Sequence, residues 1–289
     1  MLMEPVDHFT WSADSVRLHW REWPGPADAN ARPAIICIPG LTRNVRDFEA
    51  LASRLSARFR VIAVSLRGRG ESGYAPDKLS YVPLVYLKDM GAVLADARCT
   101  RFIVLGTSLG GLLGLLLPLT HADAIAGLVL NDLGPDLEAD GLARVRAQVV
   151  KRGDGWASWL IAARDLARRQ DHIYPRFSLD DWLAHTKRLC RISRGGRIVF
   201  DYDPEIAAPM TLPNSDGGVD LWTALDAYHG KPVLSLRGET SDILTAATQQ
   251  RMAARLPGLL AVTIASVGHA PTLEEPEALA ALEGFLGQW

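Results

Sequence analysis

RFIVLGTSLGGLLGLLL, residues 101–117, sets one serine among glycines, with an apolar run before it and a second apolar run after it. The core of the stretch is Gly106-Thr107-Ser108-Leu109-Gly110, with Gly111 next, a G-x-S-x-G pattern. The apolar run at 101–106 predicts a buried strand, and the run that follows predicts a helix. A chain that passes from strand to helix within two residues must turn sharply. Glycines two places before and after the serine let the flanking segments approach without a Cβ clash. Such a turn exposes the Ser108 hydroxyl beside a helix N-terminus, whose free N–H groups favour negative charge. A tight turn carrying an inert serine has the same local pattern, so the rest of the chain must decide between the two.

Outward from this stretch, strands and helices alternate. AIICIP (34–39), RVIAVSL (60–66), AGLVLND (126–132), PVLSLRG (232–238) and LLAVTIAS (259–266) read as strands. Their apolar runs are continuous rather than alternating, as expected of parallel strands covered on both faces by helices. Helical spacing appears at 45–57, with Phe48, Leu51, Ala52 and Leu55 on one face, and again at 84–97, 245–256 and 277–289. SVRLHWREW (15–23) alternates, with Leu18, Trp20 and Glu22 on one face, and predicts an antiparallel strand near an edge. From 136 to 230 the strand–helix rhythm lapses. That segment is rich in arginine and holds four of the eight tryptophans. A helical lid inserted into an α/β core accounts for it, giving a core of 1–135 and 231–289 and a lid of 136–230.

Composition excludes several classes of function. A net charge of −2 lacks the basic excess that a nucleic-acid partner requires. The three cysteines, Cys37, Cys99 and Cys190, are far apart, lack metal-ligand spacing, and suit free thiols in a reducing cytoplasm. The N-terminus has no basic region followed by a long apolar stretch, so no signal peptide is expected. The best apolar run, 109–119, falls well short of the roughly 20 residues of a membrane span and contains Pro118.

A serine hydroxyl needs a base to take its proton. Of the seven histidines, His269 alone follows a predicted core strand, at the sheet edge where open parallel sheets build their sites. The base needs an orienting carboxylate. Asp242, in LRGETSDIL, is favoured because its strand directly precedes that of the histidine. Asp132, at the end of LVLND, is the second candidate, and Glu239 the third. Oxyanion charge needs preorganised donors. The expected ones are the backbone N–H of Leu109, just after the nucleophile, and that of Leu41, after Pro39-Gly40.

Taken together, IPGLTRN, SLRGRGESG, GTSLGG, RGETSDIL and VGHAPTLEEPE resemble the segments that mark the α/β-hydrolase superfamily. The resemblance spans almost the whole chain. It implies an eight-stranded, mostly parallel sheet with helices on both faces and a helical cap inserted after the sixth strand. This chain has Pro39-Gly40 where many relatives have His-Gly, and Ser65 where many have Asp. Ser108 stands where dehalogenating and epoxide-opening relatives carry an aspartate nucleophile, which argues against both chemistries.

The implied activity is a serine hydrolase of small or medium carboxylic esters, acting through an acyl-enzyme with Ser108, His269 and Asp242. The alternative is a C–C bond hydrolase or enol-lactonase using the same residues. A different class, a non-catalytic ligand-binding protein of the same fold, is compatible with an intact triad. The chemistry needs no metal and no organic cofactor, and implies a small-molecule ester-like substrate, no nucleic acid, no membrane, and a cytoplasmic monomer or homodimer. Arg43 and Asn44, beside the oxyanion loop, and Trp156 and Trp159, in the lid, are candidate substrate contacts. Two motifs are read as carrying no chemistry. Residues 68–73 spell G-x-G-x-x-G but lead into a proline-containing loop, not the helix a dinucleotide site requires. Arg188, Arg191, Arg194 and Arg197 read as a solvated helix face, broken before the last by Gly195-Gly196.

Overall fold

The computed structural model describes residues 4–150, 153–211 and 219–289. Its strands are β1 (Val6–Trp11), β2 (Arg17–Trp23), β3 (Ala34–Ile38), β4 (Val61–Ser65), β5 (Phe102–Thr107), β6 (Ile125–Asn131), β7 (Cys190–Ile192), β8 (Ile198–Phe200), β9 (Val233–Gly238) and β10 (Leu260–Ile264). Eight form one sheet in the order β1-β2-β4-β3-β5-β6-β9-β10, while β7 and β8 make a separate hairpin. β2 pairs antiparallel with β1 and β4, and every pairing from β4 to β10 is parallel. This is the α/β-hydrolase fold. The alternating strand of the sequence is β2, and the edge outside it, β1, has no counterpart among the expected elements.

Side-chain alternation along the strands feeds two cores. Ile36, Ile38 and Val104 face one side of the sheet and Ile35, Cys37, Ile103 and Leu105 the other, all essentially inaccessible. Burial on both faces is why these strands are apolar at every position. The helices are α1 (Glu49–Leu55), α2 (Pro83–Asp96), α3 (Leu109–Leu116), α4 (Pro118–His121), α5 (Ala139–Val150), α6 (Trp159–Gln170), α7 (Leu179–Leu189), α8 (Leu221–Asp226), α9 (Ala246–Arg255) and α10 (Pro276–Leu286). α2, α3 and α9 cover the first face, and α1 and α10 the second.

After β6 the chain runs through α5, α6, α7 and the β7–β8 hairpin before returning to the sheet. α6 and α7 pack through Ala162, Ala163, Leu166, Trp182 and Leu189. The chain is back on the first sheet face by Leu225 and Tyr228, whose hydroxyl donates to Gly114 O at 2.5 Å. The arginine run is not one helix face. Arg188 lies in the last turn of α7, Arg191 lies in β7, and Arg197 follows the hairpin turn and binds the carbonyls of Asp154 and Gly155. Residues 68–73 form a loop closed by Gly68 N to Gly73 O at 2.8 Å, and no helix opens directly on it. The three cysteines are free and buried. No helix among the described residues is long and apolar enough to cross a membrane.

Candidate active site

Ser108 sits alone between β5 and α3 with φ 52° and ψ −113°, a left-handed conformation uncommon outside glycine. The neighbouring glycines make that turn possible. A Cβ on Gly106 would fall 2.2 Å from Gly110 O, and one on Gly110 only 1.9 Å from Ile38 O. The turn points Oγ into a cavity of about 180 Å³, lined also by His269 and by Leu41 of the β3 loop.

His269 arrives on the loop after β10. Its Nε2 lies 2.8 Å from Ser108 Oγ, and its Nδ1 lies 2.7 Å from Asp132 Oδ2. The Asp132 carboxylate is wholly buried and the imidazole nearly so. Asp132 leaves the end of β6 at φ 57°, which turns its carboxylate toward the neighbouring strand ends. There Oδ1 accepts from Gly238 N at 2.9 Å and Oδ2 from Ser241 Oγ at 2.6 Å. Three donors thus hold this carboxylate in place.

The favoured carboxylate of the sequence reading, Asp242, is not the one at the histidine. It accepts Arg144 Nε at 2.5 Å and Nη2 at 2.7 Å, and this pairing holds its carboxyl below the usual range. The loop after β9 directs Ser241 inward to Asp132 and the next side chain toward α5. Glu239, the third candidate, accepts the Ser266 N–H at 2.7 Å. Asp132, the second candidate, occupies the position.

The β3 loop lies close to the serine. A Cβ on Gly40 would stand 3.8 Å from Ser108 Cβ, so the loop carrying Leu41 passes beside Ser108. The Leu109 N–H opens α3 and is one of the donors a helix leaves without an internal partner. Two residues that sequence reasoning missed hold these parts together. Arg69, fully buried, donates Nε to Leu41 O at 2.8 Å and Nη1 to Arg67 O at 2.6 Å, with its guanidinium over Tyr81 and Tyr86. Asn131 Nδ2 donates to Thr107 Oγ1 at 3.0 Å and to Pro271 O at 2.9 Å, joining the serine turn to the histidine loop. Arg69 was hidden inside the G-x-G-x-x-G decoy. Asn131, next to Asp132, gave no signal beyond its place at a strand end.

Of the expected substrate contacts, Arg43 lines the cavity and the other three do not. Asn44 is fully buried, caps the turn after it through Arg46 N, and donates Nδ2 to Arg188 O at 3.3 Å. Trp156 gives its indole N–H to Asp165 at 3.0 Å and packs edge-on against Phe200. Trp159 opens α6 and packs on the second core. His185 of α7, for which the sequence offered no role, lines the cavity instead. Among the described residues, no group of three or more His, Cys, Asp or Glu side chains could hold a metal ion.

Chemically, the arrangement is a hydroxyl that can pass its proton to an imidazole whose other nitrogen is braced by a buried carboxylate. Similarity to known proteins extends over most of the chain. The model of the alpha/beta hydrolase family matches residues 35–282. A 3-hydroxybutyrate-oligomer hydrolase of Cupriavidus necator is 30% identical over 284 residues, covering 93% of this chain and 92% of its own. A 2-(acetamidomethylene)succinate hydrolase of Mesorhizobium japonicum is 27% identical over 264 residues, covering 88% of each chain. The crystal structure of an alpha/beta hydrolase from Novosphingobium aromaticivorans superposes with a TM-score of 0.94 at 44% identity, over 100% of both chains. The chain is thus a hydrolase that belongs to the alpha/beta hydrolase family.

Proposed function

We propose that this protein hydrolyses a small carboxylic ester through an acyl-enzyme on Ser108. The observation that carries this reading is the unbroken chain from Ser108 Oγ through His269 to Asp132, at 2.8 and 2.7 Å. Ser108 Oγ attacks the ester carbonyl carbon while His269 Nε2 takes its proton. The carbonyl oxygen becomes an oxyanion held by the N–H groups of Leu41 and Leu109. The intermediate collapses, the C–O bond to the alcohol breaks, and His269 returns the proton to the departing oxygen. Water then enters, gives a proton to His269, and adds to the acyl carbon. Collapse releases the acid and restores the Ser108 hydroxyl. Asp132 keeps the imidazole in the tautomer with Nδ1–H and stabilises the imidazolium between the two proton transfers.

α6, α7 and the β7–β8 hairpin act as the lid in this reading, since Tyr174, His185 and Phe200 close the cavity over Ser108. A cavity of about 180 Å³ suits a short acyl group. The printed name of the Cupriavidus relative, a hydrolase of 3-hydroxybutyrate oligomers, is in keeping with a short hydroxy-acid ester here. A second reading, cleavage of a C–C bond or an enol-lactone by the same residues, draws on Arg43 in the wall, because such substrates carry an enolate or carboxylate.

The test is turnover of p-nitrophenyl esters of increasing acyl length by wild type and Ser108→Ala. Turnover by wild type, optimal at short acyl length and reduced at least about 10³-fold in the variant, is the expected result. Folded wild type that is inactive on all esters but opens lactones or vinylogous diketones establishes the second reading. Inactivity on every class would overturn both and leave a binding protein.

A further inference from the structure

The cavity wall carries charge that the ester chemistry does not use. Three arginines line it, Arg43, Arg144 and Arg188, against one carboxylate, Asp47. Asp242 and Glu274, which pair with Arg144 and Arg188, are not among the lining residues. Two of the three ion pairs thus present only their arginine to the cavity.

Arg43 is the best placed of the three. It stands three residues after Gly40, and a Cβ on that glycine would touch both Arg43 Cγ, at 3.4 Å, and Ser108 Cβ, at 3.8 Å. The arginine stem and the Ser108 side chain therefore flank the same glycine. Its Nε and Nη2 donate to the two oxygens of Asp47, each at 2.6 Å. This fork fixes the guanidinium and leaves Nη1 with no hydrogen-bond partner among the described residues. Arg188 gives one nitrogen to Glu274 at 2.6 Å. His185, on the same wall, is 4% exposed, and its Nδ1 has no partner. Burial, then the charges of Arg43 and Arg188, holds that ring neutral, as expected where the local potential is positive. Fixed, partly desolvated donors with nothing to bind are what a carboxylate fills, because charge-assisted bonds gain most where water is scarce.

We propose that the substrate is an ester with a free carboxylate, which Arg43 Nη1 binds while Ser108 attacks the ester carbonyl a few carbons away. The chemical class is a half-ester of a short dicarboxylic acid or an ester of a short carboxylic acid that keeps its own carboxylate. This deepens the Ser108 reading and rests on it.

The experiment compares p-nitrophenyl hydrogen glutarate with its isosteric neutral amide, p-nitrophenyl 4-carbamoylbutanoate. Wild type should favour the acid by at least about 30-fold in kcat/KM, mostly through KM, and the preference should shrink with added salt. The double variant Arg43→Gln/Asp47→Asn removes both charges of the pair without stranding Asp47. It should bring the ratio below about threefold, with Arg43→Lys in between. Equal turnover of acid and amide by wild type would overturn the carboxylate site and leave the Ser108 reading intact. A preference that survives in the folded double variant would remove Arg43 from the role. If folded wild type turns over neither of these nor any other p-nitrophenyl ester, the ester reading fails, and glutarate binding by calorimetry decides the site alone. Binding lost in the double variant supports it, and no binding to wild type overturns it.

Discussion

Ser241 Oγ donates to Asp132 Oδ2 at 2.6 Å, the same oxygen that stands 2.7 Å from His269 Nδ1. The loop after β9 thus braces a carboxylate delivered by β6, and the acid next to Ser241 in sequence turns away to Arg144. This assigns the two aspartates opposite behaviour. Asp132→Asn should lower kcat by about 10⁴, the scale seen when the equivalent carboxylate is amidated in serine proteases. Asp242→Asn should change kcat less than about threefold, because it loses only a partly exposed ion pair. Steady-state kinetics on a p-nitrophenyl ester checks both, and the reverse ranking would restore Asp242 as the acid.

Arg69 should matter to kcat although it never reaches the cavity. Its Nε holds Leu41 O, and so fixes the loop whose N–H is assigned to the oxyanion. Because that donor acts on charge that develops only in the transition state, loosening it should lower kcat rather than raise KM. Arg69→Met should reduce kcat about 10- to 100-fold with KM within about threefold, and Arg69→Lys should recover part of the loss. A folded Arg69→Met protein with unchanged kcat would show that the loop holds its position unaided.

The fold was legible because its parallel strands are covered on both sides. Ile35 and Ile36 are both inaccessible, so β3 reads as an unbroken apolar run, and the same holds for β4 and β5. The pairing of Ser108 with His269 was legible for a steric reason and a positional one. Only glycine fits at 106 and 110, and His269 alone follows a core strand. The carboxylate beside His269 was not, because Asp132 and Asp242 both lie past the ends of neighbouring strands. What separates them is the left-handed backbone at Asp132 and the donors Gly238 N and Ser241 Oγ, none of which leaves a pattern in the chain. The region after β6 resisted reading for a related reason. Its tryptophans pack on neighbouring aromatics and on the core, so tryptophan content there marks packing, and the cavity instead takes Tyr174, Phe200, and His185 and Arg188 from α7.

The glycines around Ser108 should tolerate nothing larger. At Gly110 an added Cβ meets backbone, Ile38 O at 1.9 Å and Pro39 O at 3.0 Å, and the β3 end cannot retreat without moving the loop that carries Leu41. Gly110→Ala should cost at least about 3 kcal/mol, the upper end of overpacking effects, and yield little soluble protein. Gly284→Ala is the counterpart, since a Cβ there meets nothing within 4 Å. Inside α10 it should stabilise by about 0.5–1 kcal/mol. Thermal melting of the two variants beside wild type measures both signs.

His185 should give the protein an acid-sensitive stability that is separable from catalysis. Its ring is buried among Tyr174, Phe177 and Trp182, near the charges of Arg43 and Arg188, and stays neutral well below the ordinary histidine range. In the unfolded chain the same ring takes up a proton near pH 6.5. Below that pH the unfolded state binds one more proton than the folded state, so stability falls as pH falls. Above it both states are neutral and the group contributes no pH dependence. The slope approaches about 1.4 kcal/mol per pH unit, and between pH 7.5 and 5.5 the loss amounts to about 1.4 kcal/mol. His185→Phe keeps a ring in the aromatic nest and removes the titration. Urea unfolding at pH 7.5, 6.5 and 5.5 should show the gap between variant and wild type widening in the variant's favour by that amount toward acid. A gap that stays constant across the three pH values would mean that His185 accepts a proton in the folded protein as readily as in the unfolded chain.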